Sequence, residues 1–497
     1  MVAPPDALPP SLYPSADAPT PAPPLPPGLL DALSAALGPR GVVTDAGDMA
    51  PHLTDWRGLV RGRSPALLRP ASTKALSAAM RLLHAAGVPV VPQGGNTSMV
   101  AGASPDASGR AVVLSLARMD RVRDLDPVDL TMVAEAGVVL ARAQAAAAEA
   151  GLLFPLSLAS EGSATVGGVL SANAGGNTTV RYGNARELCL GLEVVLADGS
   201  VVHGLRRLRK DNTGYALRHL FVGAEGTLGV VAAAALRLAP RPRAEAVALC
   251  AVPDPAAALA LFRRLRDADE GTVRAFEYIS GAGADLALAL VEGVSLPLAE
   301  RADHYALVDL ASTRRDADLR GLLEAVLGEA LEAGEVADAV LAESEAQRAA
   351  IWRLREEQSE AQRRAGASVK NDVSVPVSRV PELIARASEA MRAAAPGCRP
   401  APFGHVGDGN VHMNAVQPEG GDGAAFLARA GAISEAVNAV VRDLGGSFSA
   451  EHGVGRIKTR MVEDWRGGAE VAAMRAVKRA LDPKGIMNPG VVLAAER

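Results

Sequence analysis

Apolar residues recur three and four positions apart in several segments of the chain, which is the pattern of amphipathic helices. Helices are predicted on this ground at 29–38, 72–87 and 137–154. The second segment reads STKALSAAMRLLHAAG, so Ser72 or Thr73 is expected to cap its start and Gly87 to end it. A further helix is predicted close to the C-terminus, at 470–481.

Short, continuous apolar runs predict buried strands. These runs lie at 88–92, 111–116 and 227–240. The segment 190–202 reads LGLEVVLADGSVV, which predicts a hairpin that turns at Asp198 and Gly199. From about 245 to 445, strand-like runs such as VALCAV and YALVDL alternate with long, alanine-rich helices. This change of pattern predicts a separate α+β domain whose sheet is covered on one face.

Length, composition and charge exclude several classes of protein. The 497 residues are too many for one simple core, and the net charge of −5 includes no basic run suited to nucleic acid. No apolar stretch is long enough to span a bilayer. Residues 1–28 are rich in proline and alanine and lack the features of a secretory signal, so a flexible tail is expected. Cys189, Cys250 and Cys398 lack CxxC spacing, which favours a cytoplasmic protein.

Two histidine motifs in the last hundred residues carry the clearest chemical signal. One reads HVGDGNVHMN (405–414) and the other EHGVG (451–455). Two imidazoles and a carboxylate, from His405, His412 and Glu451, would suit a catalytic divalent metal ion. His452, the next residue, could then act as a general base. Any one of these histidines alone would more often be a structural residue, but together they favour a site.

The local pattern indicates how this site could form. The run 411–414 predicts a strand, which would place His412 and Asn414 on one face. The residues 407–410 (GDGN) predict a turn that folds His405 back toward His412.

The first half of the chain contains several glycine-rich segments. They read PQGGNTS (92–98), ASEGSATVGGVLSANAGGNTTVRYG (159–183), RKDNTGY (209–215) and GAEGTLG (223–229). Paired glycines let backbone amides surround an anion, although PQGGNTS alone could equally be an ordinary turn. The segments do not match the dinucleotide fingerprint GxGxxG or a nucleotide-triphosphate P-loop, and HExxH is missing as well.

Taken together, these segments resemble the flavin-binding domain of the vanillyl-alcohol oxidase superfamily, and the C-terminal motifs with ALDPKGIMNPG resemble its D-2-hydroxyacid dehydrogenase branch. The resemblance implies an α+β fold with a two-part FAD-binding domain at 29–242. It also implies a ferredoxin-like α+β substrate domain at 243–445. A C-terminal segment, 446–497, would pack on the FAD domain.

The resemblance implies that FAD is the cofactor, bound non-covalently because the glycine motifs contain no histidine. Residues of the first glycine loop would hold the pyrophosphate: Gly94, Gly95, Asn96, Thr97 and Ser98. Pro92, just before this loop, is also expected to bind the cofactor. Others would line the rest of the dinucleotide: Pro155, Gly162, Ser163, Thr165, Gly168 and Gly175. Glu225, Gly226 and Val230 would lie near the adenine and ribose, and Asn488 would reach the isoalloxazine.

The resemblance also implies the roles of the histidine motifs. His405, His412 and Glu451 would bind the metal ion, expected to be zinc, with manganese and cobalt as alternatives. That ion would hold the substrate carboxylate and its 2-hydroxyl, and His452 would take the hydroxyl proton as the catalytic base. Asn414 and His452 are predicted to contact the substrate.

The segment 351–376 offers a clue to the substrate. A solvated helix with charge pairs would explain most of its polar residues. In relatives that oxidise D-2-hydroxyglutarate, however, an arginine, a threonine and a lysine bind the distal carboxylate. Arg355, Ser359 and Lys370 stand at the matching positions here, with serine in place of threonine. D-2-hydroxyglutarate, oxidised to 2-oxoglutarate, is therefore the expected substrate.

Other interpretations stay open at this point. A dehydrogenase for D-lactate, or for a broad set that includes D-malate and glycolate, would have the same fold. A metal-dependent hydrolase and a non-catalytic flavoprotein are further alternatives. The electron acceptor could be an electron-transfer flavoprotein, a quinone or a cytochrome, and a homodimer is expected from the resemblance alone.

Overall fold

The structure is a computed structural model that describes residues 22–494, so most of the predicted tail at 1–28 lies outside the described residues. Within that range the chain divides into two compact units. The glycine-rich unit comprises 22–175, 183–240 and 451–494, and the inserted unit comprises 176–182 and 241–450. No feature of the sequence pattern predicted that the short segment 176–182 joins the inserted unit.

Helices and strands alternate in the first half of the chain. In order they are α1 (Leu29–Leu37), β1 (Val42–Val43), α2 (Ala46–Leu53), β2 (Leu67–Leu68), α3 (Thr73–Ala86), β3 (Val90–Gln93), β4 (Val112–Ser115), β5 (Val122–Asp126), β6 (Thr131–Glu135), α4 (Leu140–Glu149), β7 (Leu152–Leu153), α5 (Val166–Ala172), α6 (Thr179–Tyr182), α7 (Ala185–Leu188), β8 (Cys189–Val195), β9 (Val201–Gly204), α8 (Arg218–Phe221), β10 (Val230–Arg237) and β11 (Ala239–Pro240).

Longer helices characterise the second half. The elements are β12 (Ala244–Ala251), α9 (Pro255–Asp269), β13 (Val273–Ser280), α10 (Gly281–Leu290), β14 (His304–Ser312), α11 (Leu319–Glu332), β15 (Asp338–Leu341), α12 (Glu345–Glu356), α13 (Gln358–Arg364), β16 (Ser368–Val369), β17 (Asp372–Ser374), a 3-10 turn (Val377–Arg379), α14 (Val380–Ala394), β18 (Arg399–Pro400), β19 (Phe403–Gly404), β20 (Asn410–His412), β21 (Ala415–Val416), α15 (Gly423–Leu427), α16 (Ala430–Asp443) and α17 (Thr459–Leu481).

The glycine-rich unit contains two main sheets. The first has the strand order β1-β2-β4-β3, in which β4 is parallel to both of its neighbours. The second is antiparallel, with the order β5-β6-β10-β8-β9, and β7 pairs with β11 beside it. Near the C-terminus, Met487 forms a parallel bridge with Val90 of β3, so this segment rejoins the first sheet.

The inserted unit is built on an antiparallel sheet of seven strands, in the order β15-β12-β14-β13-β19-β20-β17. We expected helices on one face of this sheet, and that expectation was wrong. The inner strand β14 is buried at consecutive positions, because its continuous apolar run faces helices on both sides. Phe262 of α9 packs on Phe276 of β13, with ring centroids 5.0 Å apart, while Ile351 of α12 packs in one cluster with Leu307 of β14.

Several predicted elements are confirmed. Helices α1 and α3 occupy the two predicted N-terminal segments, and the Ser72 hydroxyl accepts the Ala75 N–H at 3.2 Å as the helix cap. Gly87 ends α3 in the left-handed conformation. The hairpin formed by β8 and β9 turns at Gly199, whose φ of 82° is accessible to glycine at little cost.

Three predicted elements differ from the structure. The helix expected at 137–154 covers only α4, because Gly151 turns the chain at a φ of 73° into β7. The strand expected at 411–414 ends at His412, where the Asn414 N–H donates to the His412 carbonyl at 2.9 Å. The helix expected at 470–481 is the second part of α17, which is broken at Gly467. None of the helices within residues 22–494 is long and apolar enough to cross a membrane.

Candidate active site

The strands β19 and β20 bring the two histidines of the first motif together. Between them the Asp408 N–H donates to the His405 carbonyl at 3.1 Å, and Gly409 adopts a φ of 91°, which confirms the predicted turn. The return strand then pairs His412 with Phe403. As a result, the rings of His405 and His412 meet edge to face, with centroids 5.7 Å apart.

Glu451 is the third candidate metal ligand. One ligand atom each from His405, His412 and Glu451 lies within 4.8 Å of the other two. Glu451 follows Ala450, the last residue of the inserted unit, whose N–H donates to the Asp372 carbonyl at 3.3 Å. Glu451 thus directly follows a residue whose backbone is hydrogen-bonded to Asp372, the strand partner of His412.

A buried carboxylate fixes the orientation of His405. Nδ1 of His405 lies 2.7 Å from Oε1 of Glu277, and both side chains are buried. Because an ionised carboxylate only accepts hydrogen bonds, Nδ1 carries the proton and Nε2 is the nitrogen that can bind a metal ion. Glu277 thus provides the kind of outer partner that metal-binding histidines commonly have in proteins.

His412 also faces a carboxylate, at a longer distance. Its Nδ1 lies 3.7 Å from Oδ1 of Asp372, beyond hydrogen-bond range, and Asp372 is its partner across the β17–β20 pair. The same Oδ1 accepts a hydrogen bond from the Asn410 amide at 2.9 Å. Asp372 therefore places negative charge beside His412 while Asn410 holds that carboxylate in position.

Glu277 also binds Arg355, the first residue of the predicted substrate clamp. Nε of Arg355 donates to Oε2 of Glu277 at 2.7 Å, in a buried ion pair. Burial alone would raise the pKa of Glu277, but the hydrogen-bonded His405 ring and the Arg355 guanidinium outweigh it and hold that pKa below its usual range. The carboxylate is thus ionised throughout the physiological range.

One nitrogen of this guanidinium has no partner. Nη2 of Arg355 is buried and forms no hydrogen bond with any described residue. The guanidinium lies over the ring of Phe403, with 4.7 Å to its centroid, and Phe403 in turn packs against His412 at 4.8 Å. A buried, unpaired cationic nitrogen is costly, so its presence points to an anionic ligand.

The other predicted substrate residues differ from one another in exposure and in hydrogen bonding. Ser359 is exposed on α13, and α12 ends before it, so Arg355 and Ser359 do not share one continuous helix. Lys370 is half-buried directly after β16. Asn414 is buried, and its amide donates to Gln362 at 2.9 Å while its oxygen accepts the Asn371 N–H at 3.1 Å. A substrate contact by Asn414 would have to exchange one of these partners.

Two glycine-rich segments of the other unit pack closely together. A Cβ on Gly94 would clash with Oγ1 of Thr165, and a Cβ on Gly95 would clash with the backbone carbonyl of Ser163. Glycine is therefore required at position 95, whereas a larger residue at position 94 would force the Thr165 side chain to move. Oγ1 of Thr165 is buried and has no hydrogen-bond partner in the described structure. This unpaired hydroxyl is suited to a bound polar group.

The loop that follows β3 resembles an anion nest. Among the described residues, no backbone N–H from 94 to 98 has a hydrogen-bond partner. Asn96 adopts a left-handed φ of 53°, and its amide holds the loop by donating to the Thr54 carbonyl at 2.9 Å. Consecutive amides without partners bind phosphate oxygens readily, so this loop and Thr165 fit the FAD that the sequence predicts.

Glu225 and Asn488 make internal contacts. The Glu225 carboxylate accepts the N–H groups of Val454 and Gly455, each at 2.8 Å. The Asn488 amide donates to the carbonyls of Gly102 and Glu225, each at 2.8 Å. The predicted contact of Asn488 with the isoalloxazine would require its amide to change partners. Glu225 is predicted to lie near the adenine and ribose, and its carboxylate is already bonded to two backbone N–H groups.

The remaining predicted cofactor residues lie in the same unit. Pro92 belongs to β3, and a Cβ on Gly226 would lie 3.1 Å from its ring, so these two residues are neighbours. Val230 begins β10. The others lie around α5 and in the loop that precedes it: Pro155, Gly162, Ser163, Gly168 and Gly175.

His452 lies in the loop that Glu225 holds. Its Nε2 is 4.0 Å from Oε1 of Glu451, and its side chain is partly exposed. Gly453 and Gly455 flank Val454 and adopt left-handed φ values of 79° and 55°. The loop thus presents an accessible imidazole directly after a candidate metal ligand.

Sequence reasoning missed Glu277 and Asp372. Each is an acid in a run that otherwise reads as a strand, AFEYIS and NDVSV. Acidic residues are rarely buried unless they are paired, so their position in such runs was a usable signal. Only strand pairing reveals their partners, because Glu277 and His405 are separated by 128 residues along the chain.

Two protein-family models match the chain. The model described as "FAD binding domain" matches residues 64–204, and the one described as "FAD linked oxidases, C-terminal domain" matches residues 241–492. Similar solved structures include p-cresol methylhydroxylase with substrate bound (TM-score 0.73, 15% identity, 97% of this chain and 99% of that chain). Another is alkyldihydroxyacetonephosphate synthase (TM-score 0.72, 16% identity, 97% and 88%). They confirm the predicted α+β fold of the vanillyl-alcohol oxidase superfamily.

Closer relatives share the whole length of the fold. The chain is 35% identical to the D-2-hydroxyglutarate dehydrogenase of Xanthomonas citri pv. viticola, over 90% of this chain and 93% of that protein. It is 36% identical to that of Stutzerimonas stutzeri (94% and 99%) and 37% identical to the mitochondrial one of Bos taurus (91% and 81%). The two family models and these relatives show that the chain is an FAD-dependent dehydrogenase. The chain belongs to the FAD-linked oxidase family, together with proteins named D-2-hydroxyglutarate dehydrogenase.

Proposed function

We propose that this protein is an FAD- and divalent-metal-dependent dehydrogenase that oxidises D-2-hydroxyglutarate to 2-oxoglutarate. The observation that carries the proposal is the shared carboxylate of Glu277, which contacts the candidate metal ligand His405 and the cationic Arg355, each at 2.7 Å. A metal ion and a guanidinium held side by side suit a molecule with a 2-hydroxycarboxylate at one end and a second carboxylate at the other.

Arg355 is the best-supported part of the distal clamp. Its buried Nη2 has no partner among the described residues, and a substrate carboxylate would satisfy it with a charge-assisted hydrogen bond. Lys370 would add a second positive charge, and Ser359 a hydroxyl. A monocarboxylate such as D-lactate would leave Arg355 unsatisfied, which is the physical basis for preferring a dicarboxylate.

The chain also provides the groups that the reaction needs at the hydroxyl end. When bound, FAD accepts a hydride from the substrate carbon, and a divalent cation polarises the 2-hydroxyl. His405, His412 and Glu451 would hold that cation, for which zinc is the first candidate and manganese or cobalt the alternatives. His452 would receive the hydroxyl proton, since it is accessible and adjoins Glu451.

The FAD site would be formed by the loop 94–98 and by the segment that contains Thr165. The free amides of this loop would hold the pyrophosphate, and the unpaired Thr165 hydroxyl would donate to the cofactor. We expect non-covalent binding, because the glycine motifs contain no histidine. Electrons would then pass to an acceptor such as an electron-transfer flavoprotein or a quinone.

The proposal also covers the cellular compartment and the oligomeric state. The three cysteines are free and buried, which agrees with a reducing compartment, and we propose the cytoplasm. Some of the relatives are named as mitochondrial proteins. A homodimer is proposed from the resemblance to the family.

A substrate panel tests the proposed function. Dye-linked activity would be measured, with zinc present, on D-2-hydroxyglutarate, L-2-hydroxyglutarate, D-lactate and D-malate. We expect the highest kcat/KM for D-2-hydroxyglutarate and little activity on its L enantiomer. Equal or better turnover of D-lactate would reject the distal clamp and favour a broad D-2-hydroxyacid dehydrogenase on the same fold.

A further inference from the structure

Glu277 contacts both a candidate metal ligand, His405, and a residue of the candidate substrate clamp, Arg355. It lies on β13, whose antiparallel pairing with β19 matches Tyr278 with Gly404, so the register places Glu277 opposite His405. The carboxylate is 1% exposed, and it uses a different oxygen for each partner. Its two neighbours therefore depend on one rigid side chain in the centre of a sheet.

We propose that Glu277 is a positioning residue that sets both ends of the substrate site. Through Oε1 it fixes the tautomer and the ring orientation of His405, and through Oε2 it fixes the plane of the Arg355 guanidinium. This inference rests on the proposed function, because it assigns the metal ion and the distal carboxylate to these two residues. It predicts that one substitution weakens metal binding and dicarboxylate selectivity together.

The geometry explains why both effects should appear. Nε of Arg355 donates to Glu277, while Nη2 of the same guanidinium keeps its N–H groups without a partner among the described residues and is left for a ligand. Without the carboxylate, the guanidinium is held only by its contact with Phe403, and the imidazole of His405 can rotate or change tautomer. Outer partners of this kind typically contribute about 10–100-fold to metal affinity.

Glu277→Gln tests the proposal, with Asp309→Asn as a matched control. Asp309 is also a buried acid of the same sheet, on β14, but it pairs with Arg274 at 2.8 Å and with Trp352 at 3.0 Å. Asp309→Asn should therefore lower the stability of the protein without disturbing His405 or Arg355. Thermal unfolding and the flavin spectrum would show that both variants are folded and retain FAD.

The first readout is the Kd for Zn2+ of metal-stripped protein, measured by competition with a chromophoric chelator and without substrate. We expect Glu277→Gln to weaken zinc binding by about 10–100-fold and Asp309→Asn to leave it within about threefold. The second readout is the ratio of KM for D-2-hydroxyglutarate to KM for D-lactate at saturating zinc. It should rise by about tenfold in Glu277→Gln and stay constant in the control.

A folded Glu277→Gln protein with wild-type zinc affinity and wild-type selectivity would overturn the proposal. If this variant does not fold, Glu277→Asp replaces it. Its shorter carboxylate can reach only one of its two partners, so at least one readout must change, and two wild-type readouts would again reject the proposal. Failure of the proposed substrate would show in the wild-type panel, whereas the zinc measurement requires no substrate at all.

Discussion

The carboxylate of Glu225 should make the stability of this protein depend on pH near neutrality. It is enclosed by the loop that carries His452 and accepts two backbone N–H groups, from Val454 and Gly455. Burial raises its pKa to about 7, although these two hydrogen bonds oppose the change. An acid whose pKa is raised by folding contributes stability that is complete below its unfolded pKa and is lost as the pH rises through the folded value.

The size of the effect follows from the pKa. A rise from 4.5 to about 7 corresponds to about 3 kcal/mol in full. Because Glu225 keeps part of its surface exposed, we expect on the order of 2 kcal/mol. The glutamine of Glu225→Gln cannot ionise. It also loses one of the two hydrogen bonds, which lowers the free energy of unfolding by the same amount at every pH.

Urea unfolding of wild type and Glu225→Gln, at several pH values between about 5 and about 8, measures this effect. The stability of the wild type relative to the variant should fall by about 2 kcal/mol over this range. Subtracting the variant's free energy of unfolding from that of the wild type cancels the contributions of all other titrating groups, because both proteins contain them. A difference that stays constant with pH, or that rises, would show that Glu225 is ionised throughout and would refute the reasoning.

Three further substitutions test separate parts of the site. His452→Ala should lower turnover by about 10²–10⁴-fold while the flavin spectrum stays unchanged, and near-normal turnover would exclude His452 as the base. Lys370→Ala should raise KM for D-2-hydroxyglutarate far more than KM for D-lactate in steady-state assays, whereas equal effects would contradict a role at the distal carboxylate. Thr165→Val should weaken FAD binding about fivefold in a titration of apoprotein, because one hydrogen bond of about 1 kcal/mol is lost; unchanged affinity would mean that its hydroxyl does not contact the cofactor.

Helix ends and tight turns could be predicted from the sequence, because a few neighbouring residues determine their conformation. The cap at Ser72, the end of α3 at Gly87 and the turn at Gly199 all follow from the conformations that these residues prefer. The turn at 407–410 was predictable for the same reason, and with it the approach of His405 to His412.

Features that depend on strand pairing could not be predicted in this way. Asp372 lies opposite His412 only because β17 and β20 pair in one register, and Glu277 reaches His405 through the pairing of β13 with β19. The hydrogen bonds of the Glu225 carboxylate were equally unpredictable, because its partner Val454 lies 229 residues further along the chain. Sequence resemblance identified the motif around Glu225 but did not reveal which atoms its side chain contacts.

We propose that the flavin oxidises D-2-hydroxyglutarate only when a metal ion is bound at His405, His412 and Glu451. Anaerobic mixing of the flavoprotein with D-2-hydroxyglutarate, followed by the visible flavin absorbance, tests it most directly. Metal-loaded protein should lose this absorbance rapidly, chelator-treated protein should lose it slowly or not at all, and added zinc should restore the rate. Equally rapid reduction of the flavin after complete removal of metal would contradict the account.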